Sequence, residues 1–115
     1  MDKNLYQKIV TFRDERDWKQ FHNPKDLAIS IALEAAELLE IFQWSGESTD
    51  VPEKRQELAE ELADIMIYGV LLADVTGLDL EKIIENKLVK NIKKYPADQA
   101  RGCKKKYTEL KHGTQ

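Results

Sequence analysis

Along the first part of the chain, Leu5, Ile9, Val10 and Phe12 recur at near-helical spacing, which predicts a first helix over about residues 2 to 16. Asn23-Pro24 supplies a second start, because an asparagine can cap exposed amides and proline fits the first helical position. The apolar run from Leu27 carries that helix to about Phe42, and Ser45-Gly46-Glu47-Ser48 ends it. Pro52 sits near the start of a third helix, which passes through Glu57 and Glu61 and the apolar segment Ile65 to Ala73 before Thr76-Gly77 breaks it. Asp79 is placed to cap a fourth helix bearing Leu80, Ile83, Ile84, Leu88 and Ile92, which stops before Pro96 because proline disfavours helical geometry in the preceding residue. No run of alternating polarity is long enough for a strand, and there is no internal repeat. The expected fold class is all-α, a bundle of about four main helices in one domain over residues 1 to 100, followed by a basic tail over 101 to 115. Phe12, Phe21 and Phe42 are expected in its core.

Polar residues on the second and third helices break the apolar pattern in a matched way. Ser30, Glu34, Glu37 and Ile41 stand at offsets of four, seven and eleven, as do Glu57, Glu61, Asp64 and Tyr68, so each set forms one stripe along a helix. Glu34 and Glu37 interrupt Leu27 to Phe42, and Asp64 opens directly into Ile65-Met66-Ile67-Tyr68. A helix apolar on most sides is expected to be buried. Carboxylates facing one another there would repel and lose hydration unless protons or cations offset both costs. Magnesium suits such oxygens and binds through a few carboxylates together with the phosphates of a substrate, so Glu34, Glu37, Glu61 and Asp64 are expected magnesium ligands. A di-iron bundle wants Glu-x-x-His pairs, and here the fourth positions are Glu37 and Asp64. The bland alternative is that these acids pair with lysines on solvated faces, as expected for Glu53, Glu60 and Glu81.

The composition fits an ordinary globular domain: 115 residues, 42% hydrophobic and 34% charged. A net charge of −3 argues against a broad basic surface for a nucleic-acid polymer, while leaving room for a small phosphate ligand escorted by a cation. Basic residues gather late, at Lys87, Lys90, Lys93, Lys94, Arg101 and Lys104 to Lys106; such runs are usually solvated. The N-terminal residues lack the apolar core of a signal peptide and no run reaches membrane-spanning length, so no membrane partner and a cytoplasmic location are expected. Cys103 is the only cysteine and reads as an incidental tail thiol.

Several separated motifs resemble the MazG-like all-α nucleoside triphosphate pyrophosphohydrolases, and particularly the small dCTP pyrophosphatase branch. They are Glu-Arg-Asp-Trp at 15 to 18, Phe21-His22-Asn23-Pro24, Glu34-Ala35-Ala36-Glu37-Leu38 with Phe42-Gln43-Trp44, Glu60-Glu61-Leu62-Ala63-Asp64-Ile65 with Tyr68, and Lys94-Tyr95-Pro96. The likeness covers about residues 5 to 100, and the family's paired Glu-x-x-Glu and Glu-x-x-Asp pattern is complete.

The resemblance implies cleavage between the α- and β-phosphates of (deoxy)nucleoside triphosphates, dCTP included, giving a monophosphate and pyrophosphate in nucleotide pool clearing or balancing. It implies Mg2+, with Mn2+ as a substitute, held by Glu34, Glu37, Glu61 and Asp64, one of which, or Glu60, accepts the proton of the attacking water. Trp18, His22, Trp44 and Tyr68 are candidates for the base pocket, since aromatic faces stack on bases and polar tips read their edges. Each also has an ordinary reading as core, hinge or turn. Lys87, Asn91 and Lys94, spaced by four and three, would offer two cations and an amide to the phosphates. Relatives of this kind form dimers or tetramers, and a small bundle with such apolar helices gains by association, so a homodimer or homotetramer is expected. A non-catalytic nucleotide and magnesium-binding module and a structural oligomeric bundle stay open beside the enzyme.

Overall fold

The computed structural model describes residues 1–102; Cys103 and the rest of the expected basic tail lie outside them. Five helices follow one another: α1 (Lys3–Glu15), α2 (Pro24–Glu40), α3 (Arg55–Thr76), α4 (Leu80–Lys94) and α5 (Ala97–Ala100). Short 3-10 turns stand at Lys19–Phe21 and Pro52–Lys54. Among the described residues there is no strand, and no helix is long and apolar enough to cross a membrane. The chain divides into two compact units, the first from Met1 to Asp79 and the second from Leu80 onward. The first holds α1 to α3. The second holds α4 and the short α5, which the hydrophobic pattern did not anticipate because four residues are too few to show a helical period.

Local chemistry sets the helix ends. The Asp2 side chain accepts the amides of Asn4 and Leu5 at the start of α1, and Asn23 accepts that of Asp26 ahead of Pro24. The third helix begins later than its proline suggests: Pro52–Lys54 winds as a 3-10 turn, with the Lys54 amide donating to the Val51 carbonyl at 2.8 Å. Gly77, at φ 70°, ends α3 with the Leu78 amide on Ala73 and its own amide on Asp74, a Schellman closure that needs left-handed backbone. The end of α1 uses the same closure without a glycine. Asp17 takes φ 55°, the Trp18 amide donates to Arg13 at 3.2 Å and the Asp17 amide to Asp14 at 3.0 Å. α4 starts at Leu80, directly after Asp79, and ends two residues before Pro96.

α2 and α3 form the main packed pair. Lys54 Nζ reaches the Ile41 carbonyl at 3.5 Å, and Glu34 comes close to Glu61 and Asp64. Later residues of α2 therefore stand opposite earlier residues of α3, and the two helices run antiparallel. Leu27 on α2 and Val70, Leu71 and Ala73 on α3 are buried, and Ile41 and Val51 close the loop end. α1 is tied to α3 by an ion pair whose cation is buried and whose carboxylate is partly exposed. The Arg13 side chain is 1% exposed, and its Nη1 donates to Asp74 at 2.7 Å while its Nε donates to Asp14 at 2.9 Å. The Tyr6 hydroxyl donates to the other Asp74 oxygen at 3.2 Å. Burial alone would lower the Arg13 value, but the bonds to Asp14 and Asp74 outweigh it and raise it; the same partners hold Asp74 below its ordinary value against burial. Removing one member of such a pair leaves a charge without its partner and costs on the order of 3 kcal/mol.

The expectation that the apolar helices are buried on most sides is corrected within one chain. Ile29, Leu33 and Leu39 on α2 are exposed, as are Leu62 and Met66 on α3, because each helix has more apolar surface than its described neighbours in the first unit cover. The phenylalanines are corrected too. Phe12 and Phe21 are exposed, and Phe42 is half-buried. Phe12 instead packs edge-on against Trp18, with ring centroids 5.6 Å apart, under the Arg16 guanidinium 3.9 Å above its ring.

Candidate metal and nucleotide site

The antiparallel pairing of α2 and α3 turns two acidic stripes toward one another. Glu34, Glu61 and Asp64 each bring an oxygen to within 4.8 Å of the others, an arrangement in which one cation could engage all three. Glu34 and Glu61 are half-buried, whereas Glu37 and Asp64 are exposed, so partial burial is met by two of the four acids. One oxygen of Glu34 and one of Glu61 are buried without a hydrogen-bond partner. Orphaned carboxylate oxygens in a cluster without a basic partner are what a hard cation satisfies.

The titration of the pair reflects the crowding. Burial raises Glu61 to about 7, with hydrogen bonding to Glu37 and Glu34 and their charges acting in the same direction. Glu34 is raised chiefly by burial, then by hydrogen bonding to Glu37. Glu37 thus belongs to the electrostatic cluster even though its carboxylate is outside the three-oxygen group. Glu60 is not drawn in: it is exposed and accepts the Gln56 side-chain amide at 3.2 Å, as expected for the residue next to Glu61 on a helix, which points to a different face.

Beside the cluster lies a cavity of about 350 Å3 between α1 and α3. Lys8, Ile9, Phe12 and Arg13 line it from α1, Trp18 and His22 from the segment that follows, and Asp64, Ile67, Tyr68 and Leu71 from α3. Asp64 therefore belongs to both the acidic cluster and the cavity. Three of the four residues expected to read a base, Trp18, His22 and Tyr68, come together here. Trp44 does not: it is 86% exposed and is absent from this lining, because α2 ends at Glu40 and successive turns carry the chain off its axis. His22 Nδ1 is buried without a hydrogen-bond partner. Burial, aided by the Arg13 charge, pushes His22 below its ordinary value, which favours a neutral ring able to donate or accept according to its tautomer. Lys8, Ile9, Phe12 and Arg13 were not anticipated as lining residues. Their positions at offsets of one, four and five along α1 were the available signal.

Lys87, Asn91 and Lys94 lie on α4 in the second unit. Lys87 is exposed, and Asn91 and Lys94 are half-buried.

A model of the MazG-like family matches residues 29–110, and the chain belongs to the MazG-like family. It is 42% identical over 107 residues to dCTP pyrophosphatase 1 of Homo sapiens, covering 89% of this chain and 63% of that protein. It is 40% identical over 108 residues to dCTP pyrophosphatase 1 of Mus musculus, covering 90% of this chain and 64% of that protein. The chain thus spans less than two thirds of the length of these mammalian relatives. A solved pyrophosphatase from Archaeoglobus fulgidus superposes with a TM-score of 0.68 at 39% identity, covering 82% of this chain and 91% of that one.

Proposed function

We propose that this protein is a nucleoside triphosphate pyrophosphohydrolase that cleaves between the α- and β-phosphates, releasing a monophosphate and pyrophosphate, with dCTP among its better substrates. The observation that carries the reading is the meeting of three carboxylates, Glu34, Glu61 and Asp64, within 4.8 Å at the edge of an aromatic cavity of about 350 Å3. On this reading the base lies in the cavity that Trp18 and Tyr68 line, with its phosphates toward Asp64, which lines it too. The similarity to proteins named dCTP pyrophosphatase 1 supports both the reaction and the choice of substrate.

Glu34, Glu61 and Asp64, with Glu37 beside them, would hold magnesium, and manganese in its place; the bound ion would screen phosphate charge and acidify the attacking water. The unpartnered oxygens of Glu34 and Glu61 support that fit. One of these acids accepts the proton of the attacking water, and we prefer them to Glu60, whose carboxylate is engaged by Gln56. Trp18 and Tyr68 stack on the base, and His22 reads its edge through the unpartnered Nδ1. The reading places the activity in the cytoplasm, where nucleotide pools turn over, and in a homodimer or homotetramer. Leu33, Leu39 and Trp44, at 61%, 71% and 86% exposed, supply apolar surface for that association.

Pyrophosphate release from a panel of ribo- and deoxynucleoside triphosphates, with magnesium or manganese, tests the assignment. Release that needs the ion and ranks dCTP among the better substrates is the expected result; no release from any nucleotide with either ion overturns the enzyme. Glu37→Gln and Asp64→Asn then divide the alternatives, since loss of ion-dependent nucleotide binding identifies a binding module and negligible binding throughout identifies a structural bundle.

A further inference from the structure

We propose that Arg13 is a positioning residue for the cavity between α1 and α3, holding the wall formed by Phe12 and Trp18 where it can receive a base; this rests on the reading of that cavity as the nucleobase site. Arg13 is the one buried charged residue among those described. Its guanidinium reaches one Asp74 oxygen at 2.7 Å, and the Tyr6 hydroxyl reaches the other at 3.2 Å. Tyr6 and Arg13 stand seven residues apart, two turns along one face of α1 and about 10 Å along its axis. A single carboxylate on α3 therefore grips α1 at two points. One point would leave the helix free to pivot about it, whereas two, separated along the axis, resist a change in its inclination against α3.

That inclination decides where the cavity wall stands. Ile9 and Phe12 lie on α1 itself. The Arg13 carbonyl accepts both the Arg16 and the Trp18 amides, each at 3.2 Å, so the residue clamped to α3 also sets the start of the segment carrying Trp18. Asp17, at φ 55°, makes the reversal between them, and His22 follows the 3-10 turn Lys19–Phe21. The carboxylate cluster is built on α2 and α3 and shares none of these ties. Loss of the clasp thus displaces the base wall and leaves the acidic cluster in place. Stability alone does not require a charge here, because buried ion pairs are often replaced by apolar side chains without loss.

The test uses the full chain and two readouts: tryptophan-fluorescence binding of the four deoxynucleoside monophosphates, and KM and kcat for the corresponding triphosphates with magnesium. Tyr6→Phe removes one grip and keeps the ion pair, while Arg13→Lys keeps the charge and loses the planar fork. We expect the best-bound monophosphate to weaken about threefold in Tyr6→Phe and about tenfold in Arg13→Lys, with KM rising by the same factors and kcat within about twofold. The double variant Arg13→Met with Asp74→Leu should recover the melting temperature and not the affinity. Unchanged affinity and KM in Tyr6→Phe and Arg13→Lys, measured well below their melting temperatures, would reduce the clasp to a structural brace and overturn the inference alone. A wild-type chain that binds no monophosphate and releases no pyrophosphate overturns the nucleotide reading, and the inference with it.

Discussion

The crowding of Glu34 and Glu61 predicts that cation binding is coupled to proton release, with a pH dependence that the cluster itself sets. Glu61 is raised to about 7 by burial and by Glu37 and Glu34, so about one-tenth of it is ionised at pH 6 and about nine-tenths at pH 8. A cation that requires the ionised form therefore binds about tenfold more weakly at pH 6 than at pH 8, and at pH 7 displaces about half a proton per ion from this residue. Glu34, also raised, acts in the same direction. Calorimetric titration with magnesium or manganese at pH 6, 7 and 8, in two buffers of different ionisation enthalpy, measures the affinity and the protons together. The opposite sign holds for the metal-free protein. A carboxyl raised in the folded state makes its contribution at low pH and loses it as pH rises from the ordinary glutamate value through about 7, so melting temperature should fall over that window and recover on adding the ion. An affinity that varies less than about twofold between pH 6 and 8, with no buffer-dependent heat, would refute the coupling.

Other expectations follow from single residues. Glu34→Gln and Asp64→Asn should each lower metal-dependent turnover on the order of 100-fold while leaving the helical circular-dichroism spectrum unchanged; activity within about twofold of wild type would remove that residue from the ligand set. Asp17, in left-handed backbone, should accept glycine within about 0.5 kcal/mol, whereas Asp17→Val should lose about 1–2 kcal/mol in urea unfolding. Equal stabilities of these two variants would contradict the strain at that turn. Trp44→Ala removes an 86% exposed side chain, so light scattering should show a lower mass if Trp44 anchors an interface between copies. An unchanged mass across micromolar concentrations takes Trp44 out of that interface.

The helices were legible because their signals are local. Asn23-Pro24, Thr76-Gly77 and Pro96 act on the backbone within a turn, and the structure ends its helices within two or three residues of them. Burial was less legible, since periodicity shows which face of a helix is apolar and leaves open what covers it. Leu33 and Leu39 continue the apolar pattern of α2 yet stand exposed in the single chain. Phe12 and Phe21 were drawn to the core by hydrophobicity alone, and their position at the end of α1 and in the turn after it keeps both near the surface.

The two halves of the candidate site differ in the same way. The acidic stripes could be read from sequence because residues three or four apart share one helix face, and Glu34, Glu61 and Asp64 meet, while Glu37 stays outside their three-oxygen group. The cavity depends on how α1 crosses α3, which no periodicity encodes. Its setting comes from Arg13 and Asp74, 61 residues apart in sequence, each of which alone looks like an ordinary charge on a solvated helix face. Only their meeting makes Arg13 a buried cation, on the helix whose Phe12 lines the same cavity as Trp18, His22 and Tyr68. The chemistry of the cluster is thus local in origin, while the shape that would select a base is a long-range property of the fold.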